Sequence, residues 1–166
     1  AEIKSRYQEI IDGLELSLSL EEDFKILEEN FRQQIGEEYA ASRGEYLNGK
    51  IMADYLGFTF VDPAEMIRFD GNGQFDAEIT EALVAKRLKD VTEAVVPGFY
   101  GAKENGEIKT FSRGGSDITG SIIAGALDVE LYENWTDVSG VMVTDPRIIN
   151  NPKSIDTITY RELRAV

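Results

Sequence analysis

The stretch Thr110–Gly120, T-F-S-R-G-G-S-D-I-T-G, constrains the fold of this chain more than any other. It reads as the end of a strand, a glycine turn and the opening of a helix. Gly114 and Gly115 admit backbone bends closed to other residues and bring N–H groups close to a bound group. The helix that follows adds unpaired N–H donors and a partial positive charge at its first turn, which suits an anion. Ser116 and Asp117 are equally ordinary N-cap residues, so the turn alone fits a structural role as well as a binding one.

The rest of the chain must supply a scaffold for such a unit. Its 166 residues are about the size of one domain. With 42% hydrophobic residues and only four prolines, a packed core is expected rather than disorder. The net charge of −14 disfavours nucleic-acid backbones and anionic membrane surfaces as partners. Cysteine and histidine are both absent, which excludes disulfides, thiolate nucleophiles, Cys/His zinc sites and His-based triads. Chemistry is left to carboxylates, hydroxyls, Arg or Lys, backbone donors and a bound hard cation. The longest nearly uncharged run, Ile118–Leu127, is far short of the ~20 residues a membrane span needs. The amphipathic start, A-E-I-K-S-R-Y-Q, has no signal-peptide apolar region, so a cytoplasmic location is expected.

Helical periodicity is expected over residues 2–12. Ser19, three residues before Glu22, reads as a capping box for a second helix with Leu20, Phe24, Leu27, Phe31 and Ile35 on one face and Gly36 as its stop. A third helix, Y-A-A-S-R-G-E-Y-L-N-G-K-I-M-A-D-Y-L-G, ends at Gly57. Gly44 inside it points to close packing or ligand approach, and Glu45 on its own reads as a solvated helix acid. Phe58–Val61 and Met66–Phe69 read as strands, and D-G-N-G at 70–73 as a hairpin rather than a calcium loop, whose sixth position would be Phe75 instead of glycine. Asp76 caps a helix to about Lys89, Ala94–Val96 is a strand, and G-F-Y-G-A-K-E-N-G-E-I-K-T is loop-like. Ile118–Leu127 reads as a buried helix and Val129–Tyr132 as a strand; Asp145-Pro146 starts a turn and the tail from Tyr160 a helix. Strands alternating with helices imply an α/β fold with a largely parallel sheet.

Polar clusters fall on loops at strand ends: Arg113–Asp117, Thr136-Asp137 and Asp145–Arg147. In an open parallel sheet such loops converge on the ligand. A glycine turn, two arginines and several aspartates suit phosphate and magnesium, although no G-x-x-x-x-G-K-[ST] loop is present. Spacing alone therefore supports a phosphate- or nucleotide-binding α/β protein.

F-S-R-G-G-S-D-I-T-G, followed by L-Y-E-N-W-T-D-V-S-G-V-M-V-T-D-P-R, closely resembles the aspartokinases of the amino-acid kinase superfamily. The upstream A-S-R-G-E-Y-L-N-G-K-I-M-A-D-Y-L-G and V-V-P-G-F-Y-G match in the same order, so the resemblance runs from Tyr39 to Leu163. It implies a three-layer α/β sandwich with a mainly parallel central sheet, here incomplete. Residues 1–38 would be a helical insert, 39–90 the substrate-side helices and hairpin, and 91–166 the substrate loop and part of the nucleotide region.

The resemblance further implies transfer of the ATP γ-phosphoryl group, with Mg, to the side-chain carboxylate of L-aspartate, the first step towards lysine, threonine and methionine. Arg113 would pair with a substrate carboxylate, Gly114, Gly115 and Ser116 would hold aspartate, Asp117 would orient the reacting groups, and Glu45 would meet the substrate amino group. Thr136, Asp137, Met142 and Arg147 would lie on the nucleotide side, where the family often has Tyr in place of Met142. No metal-ligating residue is assigned. The family opens with a strand and a Lys-Phe-Gly-Gly-Ser segment that holds the ATP phosphates, and this sequence contains none. A catalytic-domain fragment with poor activity alone, an unpaired sheet edge and a tendency to form homo-oligomers is the expectation. The alternatives are another superfamily member with a different acceptor, or a non-catalytic binding or assembly module.

Overall fold

The computed structural model describes residues 2–112, 114–135, 140, 142–144 and 148–159. The chain divides into two compact units, Ala1–Tyr132 and Glu133–Val166. The larger one opens with three helices, α1 (Glu2–Gly13), α2 (Glu21–Arg32) and α3 (Glu37–Leu56). They share a core of Ile11, Leu20, Leu27, Leu47 and Ile51, with Tyr7, Ile10, Phe24 and Tyr46 packed against it. Asp23 of α2, largely buried, ties α3 to it: Lys50 Nζ lies 2.6 Å from its Oδ1 and the Tyr46 hydroxyl donates to the same oxygen at 3.0 Å. Gly57 ends α3 in the left-handed conformation at φ 71°.

The following residues form an α/β layer. Strands β1 (Thr59–Phe60) and β3 (Ala94–Val95) pair in parallel. Strand β2 (Arg68–Phe69) pairs in parallel with β4 (Tyr100–Lys103), and β4 pairs antiparallel with β5 (Ile108–Thr110). Helices α4 (Ala77–Leu88) and α5 (Gly115–Ala126) complete the unit. Val61, Met66, Ile67, Phe69, Val84 and Leu88 form the second core, flanked by Phe111 and Ile123. The α/β class with parallel pairing is thus as expected, with an antiparallel edge added.

Asp70 makes the 70–73 turn, accepting from the N–H groups of Asn72 and Gln74, and Phe69 then bridges to Phe75. Asp76 caps α4 by accepting from Ile79 N–H at 3.0 Å. Replacing Asp76 with alanine is expected to cost about 1 kcal/mol, read as a lowered urea midpoint with an unchanged slope.

Several expectations are corrected. The segment read as a loop before Thr110 is a hairpin, β4–β5. Its strand signal is hidden because β4 needs small residues: a Cβ on Gly101 would stand 2.5 Å from the Ile67 carbonyl oxygen. Ser19 does not form a capping box. Leu20 occupies the N-cap position with its side chain drawn into the core, Ser19 Oγ accepts from Glu21 N–H at 3.5 Å rather than from Glu22, and Glu22 pairs with Lys25. Helix α2 stops at Arg32, and Gly36, at φ 136°, precedes α3. Phe31 and Ile35, expected on the apolar seam, are exposed. Helix α5 is not buried along its length: only Gly115 and Thr119 are. Val129–Tyr132 is not a strand; it has no ladder partner among the described residues, and the Tyr132 hydroxyl instead lies over Gly120. The turn at Asp145-Pro146 and the helix from Tyr160 lie outside the described residues.

Candidate active site

The glycine turn joins β5 to α5 as its sequence suggests. Gly114 sits at the N-cap position with φ 61°, a conformation that a side chain strains. Among the described residues no side chain caps the helix, which leaves the N–H groups of its first turn open to a ligand. Ser116 and Asp117 are exposed on that turn, and the helix dipole adds partial positive charge beneath them. Arg113 lies outside the described residues.

The first turn of α5 is held from below by the loop between β3 and β4. Pro97 is buried, and a Cβ on Gly49 of α3 would fall 2.5 Å from its Cγ. At the next residue a Cβ on Gly98 would stand 2.8 Å from Ser116 Cα. Gly115 lies equally close to Phe99, where a Cβ would meet Phe99 Cβ at 2.6 Å. The Pro97–Phe99 loop therefore bears on α3 at one side and on α5 at the other. Phe99 itself is left-handed, φ 70°, which for a bulky residue costs on the order of 1–3 kcal/mol. Two hydrogen bonds hold it there: its N–H donates to Thr119 Oγ1 at 3.0 Å, and its carbonyl accepts from Phe111 N–H at 2.9 Å. Thr119, buried, donates in turn to the Gly115 carbonyl at 2.7 Å.

Glu45 is exposed on α3, one helical turn before Gly49 and so on the same helix face as the residue that meets Pro97. Among the described residues no atom beyond the helix's own backbone lies within 4 Å of where a Gly44 side chain would begin, so none of them packs closely on that glycine. The Gly44 carbonyl accepts from the Tyr7 hydroxyl at 3.2 Å. Burial, reinforced by the charge of Glu45, pushes the Tyr7 hydroxyl above its ordinary range.

Beside Glu45, Arg43 is buried with its guanidinium over three rings, 4.6 Å from Tyr39, 4.6 Å from Tyr46 and 5.2 Å from Tyr100. Its Nε and Nη2 both donate to Ser42 Oγ, and no ion pair to it is present among the described residues. Ring faces therefore supply much of the compensation for this charge.

In the smaller unit Met142 is half-buried and bridges antiparallel to Ser154, with Val143 N–H donating to the Lys153 carbonyl at 3.0 Å. Thr136, Asp137 and Arg147 lie outside the described residues. Among the described residues no group of three acidic side chains is placed to hold a metal ion.

Sequence reasoning missed Thr119, Arg43 and Glu38. Thr119 stands four residues after Gly115, a spacing that could have signalled a hydroxyl returning to the previous turn. Glu38 of α3 accepts from Lys109 Nζ at 2.7 Å, from Thr110 N–H at 3.2 Å and from Thr110 Oγ1 at 3.1 Å, all at one oxygen. Partners separated by 71 and 72 positions leave no local pattern to read.

The model of the amino acid kinase family matches residues 5–165. Aspartokinase 3 of Bacillus subtilis is 37% identical, over 98% of this chain and 39% of its own length. The crystal structure of Clostridium acetobutylicum aspartate kinase matches with a TM-score of 0.88 and 48% identity, over 99% of this chain and 38% of that one. E. coli aspartokinase III, in complex with lysine and aspartate, matches with a TM-score of 0.60 and 30% identity, over 70% of this chain and 29% of that one. The chain thus spans about two fifths of the length of the first two relatives.

Proposed function

Because the chain belongs to the amino acid kinase family, we propose that it forms the acceptor side of an aspartate kinase. The observation that carries this reading is the first turn of α5, uncapped, glycine-opened and supported by the Pro97–Phe99 loop beside the helix that bears Glu45. An aspartokinase 30% identical to this chain has been crystallised with aspartate. In the proposed reaction an oxygen of the aspartate side-chain carboxylate attacks the γ-phosphorus of ATP. The bond to the β,γ-bridging oxygen breaks, ADP leaves, and 4-phospho-L-aspartate forms. Most of the catalytic demand in such a transfer is positioning and charge compensation.

In this reading Arg113 pairs with a substrate carboxylate through its planar fork, and the N–H groups of Gly115 and Ser116 receive carboxylate oxygens. Glu45 takes the ammonium group, and Asp117 orients the reacting groups. Thr136, Asp137, Met142 and Arg147 serve the nucleotide, on the resemblance of T-D-V-S-G-V-M-V-T-D-P-R to the family pattern. Magnesium would accompany the ATP phosphates. Among the described residues no group of three acidic side chains is placed to hold it. A cytoplasmic homo-oligomer serving lysine, threonine and methionine synthesis completes the proposal. No described helix is long and apolar enough to cross a membrane.

Titration calorimetry with L-aspartate tests the acceptor side directly. Binding is expected, and Arg113→Met should weaken it about 10-fold or more, the worth of a hydrogen-bonded charge pair. A hydroxamate assay with ATP and aspartate, set against other amino-acid acceptors, tests the transfer. A chain that binds neither aspartate nor Mg-ATP would instead be a non-catalytic module that keeps the fold.

A further inference from the structure

We propose that Glu38 is a positioning residue that sets the aspartate affinity of the glycine turn by latching the end of β5. The proposal rests on the acceptor-side reading above. It starts from the geometry of an edge strand. Thr110 lies opposite Tyr100 in the antiparallel pair, while the next residue, Phe111, donates its N–H to Phe99. Alternate N–H groups of a strand point to opposite sides, so Thr110 N–H faces away from β4, towards the open edge.

Glu38, in the first turn of α3, closes that edge. One of its oxygens receives the Thr110 N–H, the Thr110 hydroxyl and the Lys109 ammonium. Burial alone would raise the Glu38 carboxyl, but the hydrogen bonds from Lys109 and Thr110 outweigh it and hold the group below its ordinary range. The latch is therefore charged at neutral pH.

Its position in the chain gives it consequence. Thr110 is the last residue of β5, and Arg113 follows three residues later. At the far end of the turn, Gly115 is fixed by Phe99 and Thr119. Thr110 and Gly115 are thus held on either side of the turn, and Glu38 holds the first of them from a helix that also carries Glu45. Releasing it frees the end of β5 from α3 and raises the entropy lost when aspartate binds. Since α3 carries both carboxylates, the register between Glu45 and the turn also depends on this contact.

The test compares Glu38→Ala and Glu38→Gln with the unaltered chain, using L-aspartate calorimetry and amide hydrogen exchange. Glu38→Ala is expected to weaken aspartate about 10-fold and to speed exchange at Thr110 at least as much, with α4 amides unchanged. Glu38→Gln keeps an acceptor for Thr110 and loses the Lys109 ion pair, so it should recover affinity to within about 3-fold. The ratio of unaltered to Glu38→Gln affinity should hold steady above the ordinary carboxylate range and fall only as the pH drops through the lowered Glu38 value. Faster Thr110 exchange in Glu38→Ala with aspartate affinity unchanged would overturn the proposal, leaving a structural tether only. Exchange raised throughout the chain would overturn it as general destabilisation. If the unaltered chain binds no aspartate, the acceptor reading itself fails and this proposal with it, a result distinct from binding that survives Glu38→Ala.

Discussion

Alanine in place of Gly98 is expected to abolish measurable aspartate binding and to cost about 3 kcal/mol of stability, the upper end for an overpacked site. The new Cβ would stand 2.7 Å from Ser116 Oγ, 2.8 Å from Ser116 Cα and 2.8 Å from Ser116 Cβ. A serine hydroxyl can rotate away, but the Cα belongs to the backbone of α5 and moves only with the helix. Gly98 itself has little freedom to retreat. Pro97 is buried against Gly49, and Phe99 is held left-handed by Thr119 and Phe111. Relief must therefore come from displacing the first turn of α5, which carries Gly115, Ser116 and Asp117.

A control lies in the same helix. Among the described residues no atom beyond the helix's own backbone is within 4 Å of where a Cβ on Gly125 would be, so Gly125→Ala should be neutral or stabilise by up to about 1 kcal/mol. Urea unfolding of the two variants checks the energetics, and aspartate calorimetry checks the site. Equal stability losses in both would remove the claim that Gly98 is read by contact with Ser116.

Loss of the Arg43 charge is expected to be nearly as damaging. Arg43→Met keeps much of the apolar stem and should cost about 2 kcal/mol, since the cation–π contacts with Tyr39, Tyr46 and Tyr100 are desolvated. Arg43→Ala also leaves a void among the rings and should cost about 4 kcal/mol. The same cluster makes stability depend on alkaline pH. Tyr100 is fully buried and donates to Asp62 Oδ1 at 3.0 Å. Burial first, then the Asp62 charge, push its hydroxyl far above the ordinary 10.0, with Arg43 pulling partly the other way.

A phenol raised in the folded state holds its proton more tightly there than in the unfolded chain. The stability it contributes is complete below about pH 10 and is lost as the pH climbs from there towards the folded value. Tyr7 and Tyr46 are raised in the same sense. Urea midpoints should thus be steady in the Tyr100 contribution up to about pH 10 and fall above it, equally steeply in Arg43→Met, since a phenol already held far above this range fixes the slope at one proton, and less steeply in Tyr100→Phe. A slope identical in all three proteins would show that Tyr100 stays outside the transition.

Much of this molecule could be read from single stretches of sequence. Gly57 ends its helix left-handed, Asp76 caps the next one, and Asp70 makes its turn through bonds to residues two and four positions on. Such features are local, so the residues that cause them stand beside the structure they produce. The β4–β5 hairpin was not legible because Gly101 and Ala102 show no alternation of apolar and polar residues. Gly101 must be small because Ile67, from a distant part of the chain, presses on β4. The expected burial of α5 failed for the reverse reason: an apolar run is compatible with burial but does not enforce it without a covering element.

At the candidate site the division is the same. Sequence alone determined the strand–glycine turn–helix of Thr110–Gly120 and the helix bearing Glu45, because backbone freedom, capping and periodicity act over a few residues. Only the tertiary structure decided that Pro97–Phe99 supports the first turn of α5, that Arg43 is enclosed by three tyrosines, and that Glu38 closes the edge of β5. Those contacts join residues that the chain separates widely. Their strength comes from steric fit and the removal of water, which exist only after the chain has folded.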